Sequence, residues 1–502
     1  MKEQYCSAPL SAAAFPFNGG LHEECGVFGI CSPEDLLLAQ EVYNALFALQ
    51  HRGQLSCGIA VNPGEGAFVC EKGMGLVPDV FNRERLKRLE DACAETRGDR
   101  GLSFAVGHVR YSPAHSAEPE NTQPLVMRYA KGAIAIANNG GLTNAAELRR
   151  ELSAQGSVFQ TGTDAELIGS LTCRTRLTTT SIEAALVQAM GRLRGAYSLV
   201  MLSPQKLIAA RDPYGFRPLC IGKLGEAWLV ASESCAITSI GGTFLRDVEP
   251  GEVVTFGKLG MTSNKTHCGG KTAHCLFEYA YFARPDSYLD GMGMHNLRLS
   301  LGARLAEEYP VPADCVVGVP DSGIDAAIGY SRASGDPYIT GFIKNRYVGR
   351  AFFQGTQQER QIAVAIKLNP IRAAVEGKRV VLVDDAIVRG VTVGRIVSLL
   401  RKAGASEVHY RVTCPPFRHV CHYGTDISDP ALLFANKVPP EQAAEYLGAD
   451  SMGYLSLEGF KSCLGSAGVC SACFTGEYPV DPPKEAQHDI YARPLRTLEG
   501  RG

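Results

Sequence analysis

Val380-Val381-Leu382-Val383-Asp384-Asp385-Ala386-Ile387-Val388-Arg389-Gly390-Val391-Thr392 is the stretch whose reading decides the fold. Four apolar residues without a turn former read as a strand buried on both faces of a parallel sheet. Two carboxylates end that strand, where open α/β sheets place their ligands. The segment 393–402 has helical apolar spacing, so Arg389, Gly390 and Thr392 stand at a helix N-terminus. Backbone N–H groups and the helix dipole there favour an anion. Carboxylates for sugar hydroxyls beside amides for a phosphate suit a phosphorylated sugar. A plain strand-to-helix turn with two solvated Asp caps fits the same pattern.

The surrounding chain alternates in the way a parallel sheet requires. Helices are expected near 299–308, 326–334 and 393–402, and strands at 315–319, 379–383 and 407–412. Upstream the character changes. Short strands are expected at 26–31, 57–61, 102–108, 132–137, 198–202, 219–222 and 228–231, with helices at 35–49, 163–174 and 182–193. That is a layered α+β domain. The expected division is a tail 1–24, a first domain 25–256, a polar linker 257–273, a second domain 274–480 and a tail 481–502.

The 502 residues carry a net charge of −2, which gives no electrostatic case for nucleic acid. No apolar run approaches the roughly 18 residues that span a bilayer, and the N-terminus lacks the features of a signal peptide. The 17 cysteines are scattered and odd in number, which suits a reducing cytoplasm better than a disulfide framework.

Cys25, in His22-Glu23-Glu24-Cys25-Gly26-Val27, opens a strand. It reads either as a core thiol or as an N-terminal nucleophile. In the second case cleavage after Glu24 frees an α-amine that serves as base for its own thiol, and residues 1–24 are a propeptide. Asn139-Gly140 reads as a turn or as an oxyanion hole. Arg110 and Asp164 read as surface ions or caps, or as holders of the two charged ends of an amino acid. Cys470 and Cys473 form a C-x-x-C pair open to zinc, redox or core roles.

Cys25-Gly26-Val27-Phe28-Gly29-Ile30, Leu49-Gln50-His51-Arg52-Gly53-Gln54, Gly107-His108-Val109-Arg110-Tyr111-Ser112 and Arg211-Asp212-Pro213-Tyr214-Gly215-Phe216-Arg217-Pro218 resemble the glutaminase half of the amidophosphoribosyltransferase family. The second half agrees independently. Its motifs are Phe277-Glu278-Tyr279, Phe282-Ala283-Arg284-Pro285-Asp286-Ser287, Val319-Pro320-Asp321-Ser322-Gly323, Asn345-Arg346-Tyr347-Val348-Gly349-Arg350, the Asp384-Asp385 loop and Ala472-Cys473-Phe474-Thr475-Gly476. The matches run in order from about residue 23 to 480.

The resemblance implies an α+β N-terminal-nucleophile (Ntn) glutaminase sandwich followed by an α/β type I phosphoribosyltransferase domain with a parallel sheet. It implies that Cys25 attacks the glutamine amide, Asn139 and Gly140 stabilise the oxyanion, and Arg110 and Asp164 bind the glutamine α-carboxylate and α-ammonium. Ammonia then passes internally and displaces pyrophosphate from phosphoribosylpyrophosphate, giving 5-phosphoribosylamine, the first committed step of purine synthesis. Phosphoribosylpyrophosphate is expected on Asp321, Ser322, Gly323, Asp384, Asp385, Arg389, Gly390 and Thr392, with Lys344, Arg346 and Arg350 on a closing segment. Mg²⁺ is expected at Ser322, Asp384 and Asp385. The branch of the family with a propeptide carries a [4Fe–4S] cluster, whose ligand contexts match Cys275, Cys421, Cys470 and Cys473, with zinc as the chemical alternative. Purine nucleotide feedback inhibitors and a homodimer or homotetramer complete the expectation.

Against the family pattern, Ala386 stands for Ser, Val391 for Thr, Pro113 for Thr, Leu55 for Glu, Asn138 for His and Gly355 for Pro. These departures leave two alternatives open. One is a glutamine-dependent paralogue using another phosphosugar or acceptor, and the other is a non-catalytic regulatory homologue.

Overall fold

The computed structural model describes residues 25–62, 68–94, 101–111, 118–345, 368–425, 427, 429–465 and 468–483, excluding the side chains of Val391 and Thr392. The expected propeptide, Pro113, Arg346, Arg350, Gly355 and the tail from 484 onward lie outside the described residues.

Alternating apolar residues build two antiparallel sheets in the first half. The first contains β1 (Gly26–Ser32), β2 (Ser56–Asn62), β3 (Val69–Met74) and β4 (Ser103–Arg110). The second starts with β5 (Leu125–Tyr129), β6 (Gly132–Asn139), β7 (Ser198–Ser203) and β8 (Lys206–Arg211). β9 (Cys220–Leu224), β10 (Ala227–Ala231) and β11 (Thr243–Asp247) return to the first sheet, and β12 (Val253–Gly257) and β13 (Gly260–Asn264) to the second. The orders are β11-β9-β10-β1-β4-β2-β3 and β13-β12-β8-β7-β6-β5. Within the segment expected as a linker, Gly260–Asn264 thus pairs with β12 as an exposed edge strand.

The sheets pack face to face over Val27, Val106, Ala135 and Val200. Helices Leu38–Ala48 and Arg83–Ala94 cover the outside of the first sheet through Val42, Leu46 and Leu89. Helices Ala145–Ala154, Asp164–Arg176 and Ile182–Met190 cover the second through Leu148, Leu171 and Leu186. The result is a four-layer α-β-β-α sandwich.

In the second half, β14 (His274–Cys275) precedes a small hairpin of β15 (Tyr288–Leu289) and β16 (Met292–Gly293). The core sheet follows with β17 (Cys315–Gly318), and β18 (Phe342–Lys344) and β19 (Leu368–Pro370) form an antiparallel pair beside it. β20 (Arg379–Asp384), β21 (Glu407–Val412) and β22 (Ser451–Tyr454) complete the parallel sheet in the order β17-β20-β21-β22. β23 (Val469–Cys470) returns to pair in parallel with β14. Val380 and Leu382 face one apolar core, with Val397 and Leu400 of helix Val391–Lys402. Val381 and Val383 face the other, with Leu301 and Tyr330. Burial on both faces explains the continuous apolar run.

The halves meet across a charged and aromatic boundary. Arg52 donates to both carboxylate oxygens of Glu278, at 2.9 and 2.6 Å. Arg217 donates to the Tyr423 carbonyl at 3.1 and 2.8 Å and to the Thr425 hydroxyl at 3.0 Å. Phe216 stacks on Tyr423 with ring centroids 4.2 Å apart.

Candidate active sites

Strand alternation fixes one end of the inter-sheet space. Val27 of β1, Ala60 of β2, Phe104 and Val106 of β4, and Ala133, Ala135 and Ala137 of β6 all point between the sheets. Side chains repeat every second residue along a strand. Ser56, His108, Arg110 and Asn139 therefore face the same space, and Cys25 enters it just before β1. The Cys25 thiol lies 3.6 Å from the Tyr111 carbonyl. The Cys25 carbonyl accepts from Arg52 Nε at 3.1 Å.

Buried polar atoms concentrate here. Asn139 Nδ2, His108 Nδ1 and Ser56 Oγ have no hydrogen-bond partner among the described residues. Such atoms are costly unless a ligand or water completes them. Burial holds the His108 imidazole down to about 3, so it is neutral, and its Nε2 meets the Asn138 carbonyl at 3.1 Å, tying β4 to β6. Burial also lowers Arg110, against the opposing influence of the Cys25 and Glu118 charges.

Gly140 follows Asn139 with φ of 137°, and a Cβ there would stand 2.3 Å from the Ala196 carbonyl oxygen. Only glycine fits. The turn continues to Leu142, whose N–H donates to Asp164 at 2.8 Å. Asp164 opens a helix capped by the Thr163 hydroxyl. Burial raises the Asp164 carboxyl, against that N–H and the Arg149 charge. The structure therefore brings Cys25 to Arg110, and Asn139-Gly140 to Asp164. On the far side, a Cβ on Gly141 would stand 3.1 Å from the Gly424 nitrogen, so this turn abuts the second domain.

The second site lies at the carboxyl ends of β17 and β20. Asp384 and Asp385 are 7% and 2% exposed. Asp384 accepts from the Asp385 N–H at 2.9 Å and from the Tyr410 hydroxyl. Burial pushes Asp384 up to about 6, with Tyr410 opposing. Burial and the Asp384 charge raise Asp385 well above the ordinary carboxylate range, opposed by the Ser322 hydroxyl and the Arg298 charge. Gly323 opens helix Gly323–Ser334, and a Cβ there would meet the Val383 carbonyl oxygen at 2.6 Å. Lys344 pairs with the exposed Asp321 at 2.5 Å. Gly390, with φ of 79°, caps helix Val391–Lys402 against the Phe434 ring, beside the half-buried Arg389. Ala386 is 5% exposed within the apolar core.

Tyr410 and Arg298 are absent from the residues marked by motif. Tyr410 lies inside a strand, two residues from its end, and Arg298 inside a helix, so neither carries a local signal.

The two carboxylates and the Ser322 hydroxyl are hard oxygen donors, a set that suits Mg²⁺ sharing its shell with substrate phosphates and water. Cys275, Cys421, Cys470 and Cys473 line one pocket with Phe216, Phe277 and Tyr423. Cys275 and Cys470 are register partners in the β14–β23 pair, and the Cys421 sulfur accepts from the Tyr423 N–H at 3.4 Å. Burial pushes Cys470 up to about 12, and burial with the other thiol charges raises Cys473. Soft donors in an apolar pocket fit an iron–sulfur cluster or zinc in chemistry. Among the described residues no three His, Cys, Asp or Glu side chains are grouped closely enough to hold a single metal ion.

A glutamine amidotransferase domain family matches residues 108–239, and a phosphoribosyl transferase domain family matches residues 294–424. The amidophosphoribosyltransferase of Methanocaldococcus jannaschii is 44% identical over 472 residues, covering 91% of this chain and 98% of that protein. That of Bacillus subtilis is 44% identical over 469 residues, covering 92% and 95%. The solved B. subtilis glutamine phosphoribosylpyrophosphate amidotransferase, complexed with ADP and GMP, superposes with a TM-score of 0.83 at 43% identity, covering 92% of this chain and 98% of that one. A second solved structure, described as the allosteric regulatory enzyme of purine biosynthesis, gives 0.84 at 43% identity, covering 92% and 97%. With both halves matched in one alignment and one superposition, the chain belongs to the amidophosphoribosyltransferase family, the glutamine-dependent pentosyltransferases of purine biosynthesis.

Proposed function

We propose that the chain makes 5-phosphoribosylamine, glutamate and pyrophosphate from phosphoribosylpyrophosphate, glutamine and water, with its own residues in the following roles. The Cys25 thiolate attacks the glutamine side-chain amide, and its own α-amine, freed by loss of residues 1–24, takes the thiol proton and returns it to the leaving ammonia. The Asn139 amide and Gly140 N–H hold the oxyanion. Arg110 and Asp164 hold the α-carboxylate and α-ammonium. Water then releases glutamate from the thioester.

Ammonia crosses to the second domain and displaces pyrophosphate from C1 of the sugar. Asp384 and Asp385 orient the ribose hydroxyls. The amides from Arg389 to Thr392 hold the 5-phosphate, and Asp321, Ser322 and Gly323 face the diphosphate. Lys344, Arg346 and Arg350 belong to the segment that closes over it and excludes water. Mg²⁺ held by Asp384, Asp385 and Ser322 would neutralise charge on the departing diphosphate.

The observation that carries this reading is the contact between the oxyanion turn at Gly140-Gly141 and Gly424 of the second domain. It leaves the ammonia source facing the acceptor domain. Residues 25–256 and 274–480 are the two units of this reading. In this reading Cys275, Cys421, Cys470 and Cys473 would hold a [4Fe–4S] cluster, giving up their thiol protons on binding. Purine nucleotides as inhibitors draw support from the B. subtilis relative, whose structure is named as complexed with ADP and GMP. A homodimer or homotetramer in the cytoplasm belongs to the same reading. Among the described residues no helix is long and apolar enough to cross a membrane.

Pyrophosphate release from phosphoribosylpyrophosphate, assayed with glutamine, with ammonia and with neither, tests the proposal. Release that needs one nitrogen source and accepts either supports it. Release with ammonia alone removes the glutaminase role, and none in any arm removes the transferase role.

A further inference from the structure

Ser56 is not accounted for by any role above, yet it is fully buried in the glutaminase half and its hydroxyl has no partner among the described residues. The register of the first sheet explains where it sits. β4 lies between β1 and β2. On one side Gly26 pairs with Val109, so Cys25, one step beyond, comes level with Arg110. On the other side Ser56 pairs directly with Arg110. Cys25, Arg110 and Ser56 therefore form a row across three adjacent strands, all facing the inter-sheet space.

Strands lie about 4.8 Å apart, which puts Cys25 and Ser56 roughly 10 Å apart at the backbone. A glutamine whose amide carbon meets the Cys25 sulfur carries its α-carboxylate four bonds away, about 5 Å when extended. Laid along the row, that carboxylate passes over Arg110 and reaches toward Ser56. A buried hydroxyl left without a partner is unfavourable in the free protein. A carboxylate arriving beside Arg110 would accept from it.

We infer that Ser56 is a further substrate-binding residue, donating its hydroxyl to the α-carboxylate of the amino-acid substrate alongside Arg110. This rests on the glutaminase reading of the Cys25 site. It makes the subsite selective for a free carboxylate, because a neutral amide accepts more weakly from the same pair.

Ammonia release from the side-chain amide by the intact two-domain protein tests the inference, with glutamine and with its α-carboxamide as substrates, in the native protein, Ser56→Ala and Arg110→Ala. For Ser56→Ala we expect KM for glutamine to rise about tenfold with kcat kept, as for loss of one bond to a charged acceptor. KM for the α-carboxamide should change much less. Thermal stability of Ser56→Ala should equal or exceed that of the native protein, because an unpartnered buried hydroxyl is removed. Equal KM changes for both substrates, or no change for either, would overturn the inference and make Ser56 a structural or water-holding group. If Arg110→Ala leaves KM for glutamine unaltered, the glutaminase reading itself falls. If Arg110→Ala raises it while Ser56→Ala does not, only the role of Ser56 falls.

Discussion

Arg52 and Glu278 join the two halves through a buried bidentate pair, with nitrogen–oxygen distances of 2.9 and 2.6 Å. Arg52 extends the link in both directions. It donates to the Cys25 carbonyl at 3.1 Å and to Glu233 at 2.6 Å. Burial alone would raise the Glu233 carboxyl, but His51, Arg52 and the Arg284 N–H hold it well below the usual range. The Cys25 backbone is thus anchored to a charge supplied by the second half of the chain. Breaking a buried pair from one side leaves an uncompensated charge, at a cost of about 3–5 kcal/mol. Glu278→Gln should lower unfolding stability by that order and reduce glutamine-dependent turnover more than ammonia-dependent turnover. Denaturant titration and the two activity assays check both parts. Equal loss of the two activities would limit the pair to a structural role.

Nucleophile and acceptor should separate by mutation. Cys25→Ala removes the sulfur and leaves the Asp384–Asp385 site intact, so activity with glutamine should vanish while activity with ammonia survives. Intact mass of active native protein should show residues 1–24 absent, because only a free α-amine can act as the local base. Active protein that retains Met1 would overturn the N-terminal-nucleophile mechanism.

How much of this was legible in the sequence depended on how local each signal was. β20 is buried on both faces, so its four apolar residues announced it. β3, β5 and β11 are half-exposed and carry mixed residues, so nothing marked them. Helix Arg83–Ala94 was equally silent, because only Leu89 and Cys93 of its twelve residues are buried. Motifs placed Cys25, Asn139 and Asp384, since strand ends and tight turns leave residue-level traces. They could not show that Arg52 is fully buried, because a charged residue in a polar loop reads as solvated until its partner, 226 positions away, is known. Ala386, where the family pattern has Ser, is 5% exposed and packs in the apolar core, which the pattern alone does not show.

The Asp384–Asp385 pair predicts a pH dependence. Both carboxyls are raised in the folded protein, Asp384 to about 6 by burial, and Asp385 by burial and the Asp384 charge. The folded state therefore binds their protons more tightly than the unfolded state, so the pair favours folding most below about pH 4, near the unfolded carboxylate value. That contribution is lost as pH rises through about 6. Asp384→Asn with Asp385→Asn should flatten this component, raise stability at pH 8, and abolish activity with either nitrogen source. Thermal melts from pH 4 to pH 8 check the sign. A native protein that gains stability across this window, relative to the double variant, would contradict it.

The cysteine pocket gives the last prediction. Cys275 and Cys470 are register partners in a two-residue parallel pairing, while Cys421 lies in a loop and Cys473 in the short helix Ala472–Thr475. These four segments come from separate parts of the chain, so a bound group would tie them together. Protein purified without oxygen should be brown, with about four iron and four labile sulfide per chain, as for one [4Fe–4S] centre. Cys470→Ser should lose both and melt at lower temperature. The loss should extend to glutamine-dependent turnover, because the Cys421 segment continues to Gly424, which abuts the Gly140-Gly141 turn. Stoichiometric zinc without sulfide would replace the assignment. Full stability and activity in a colourless, metal-free native protein would remove it, leaving the four thiols as core packing.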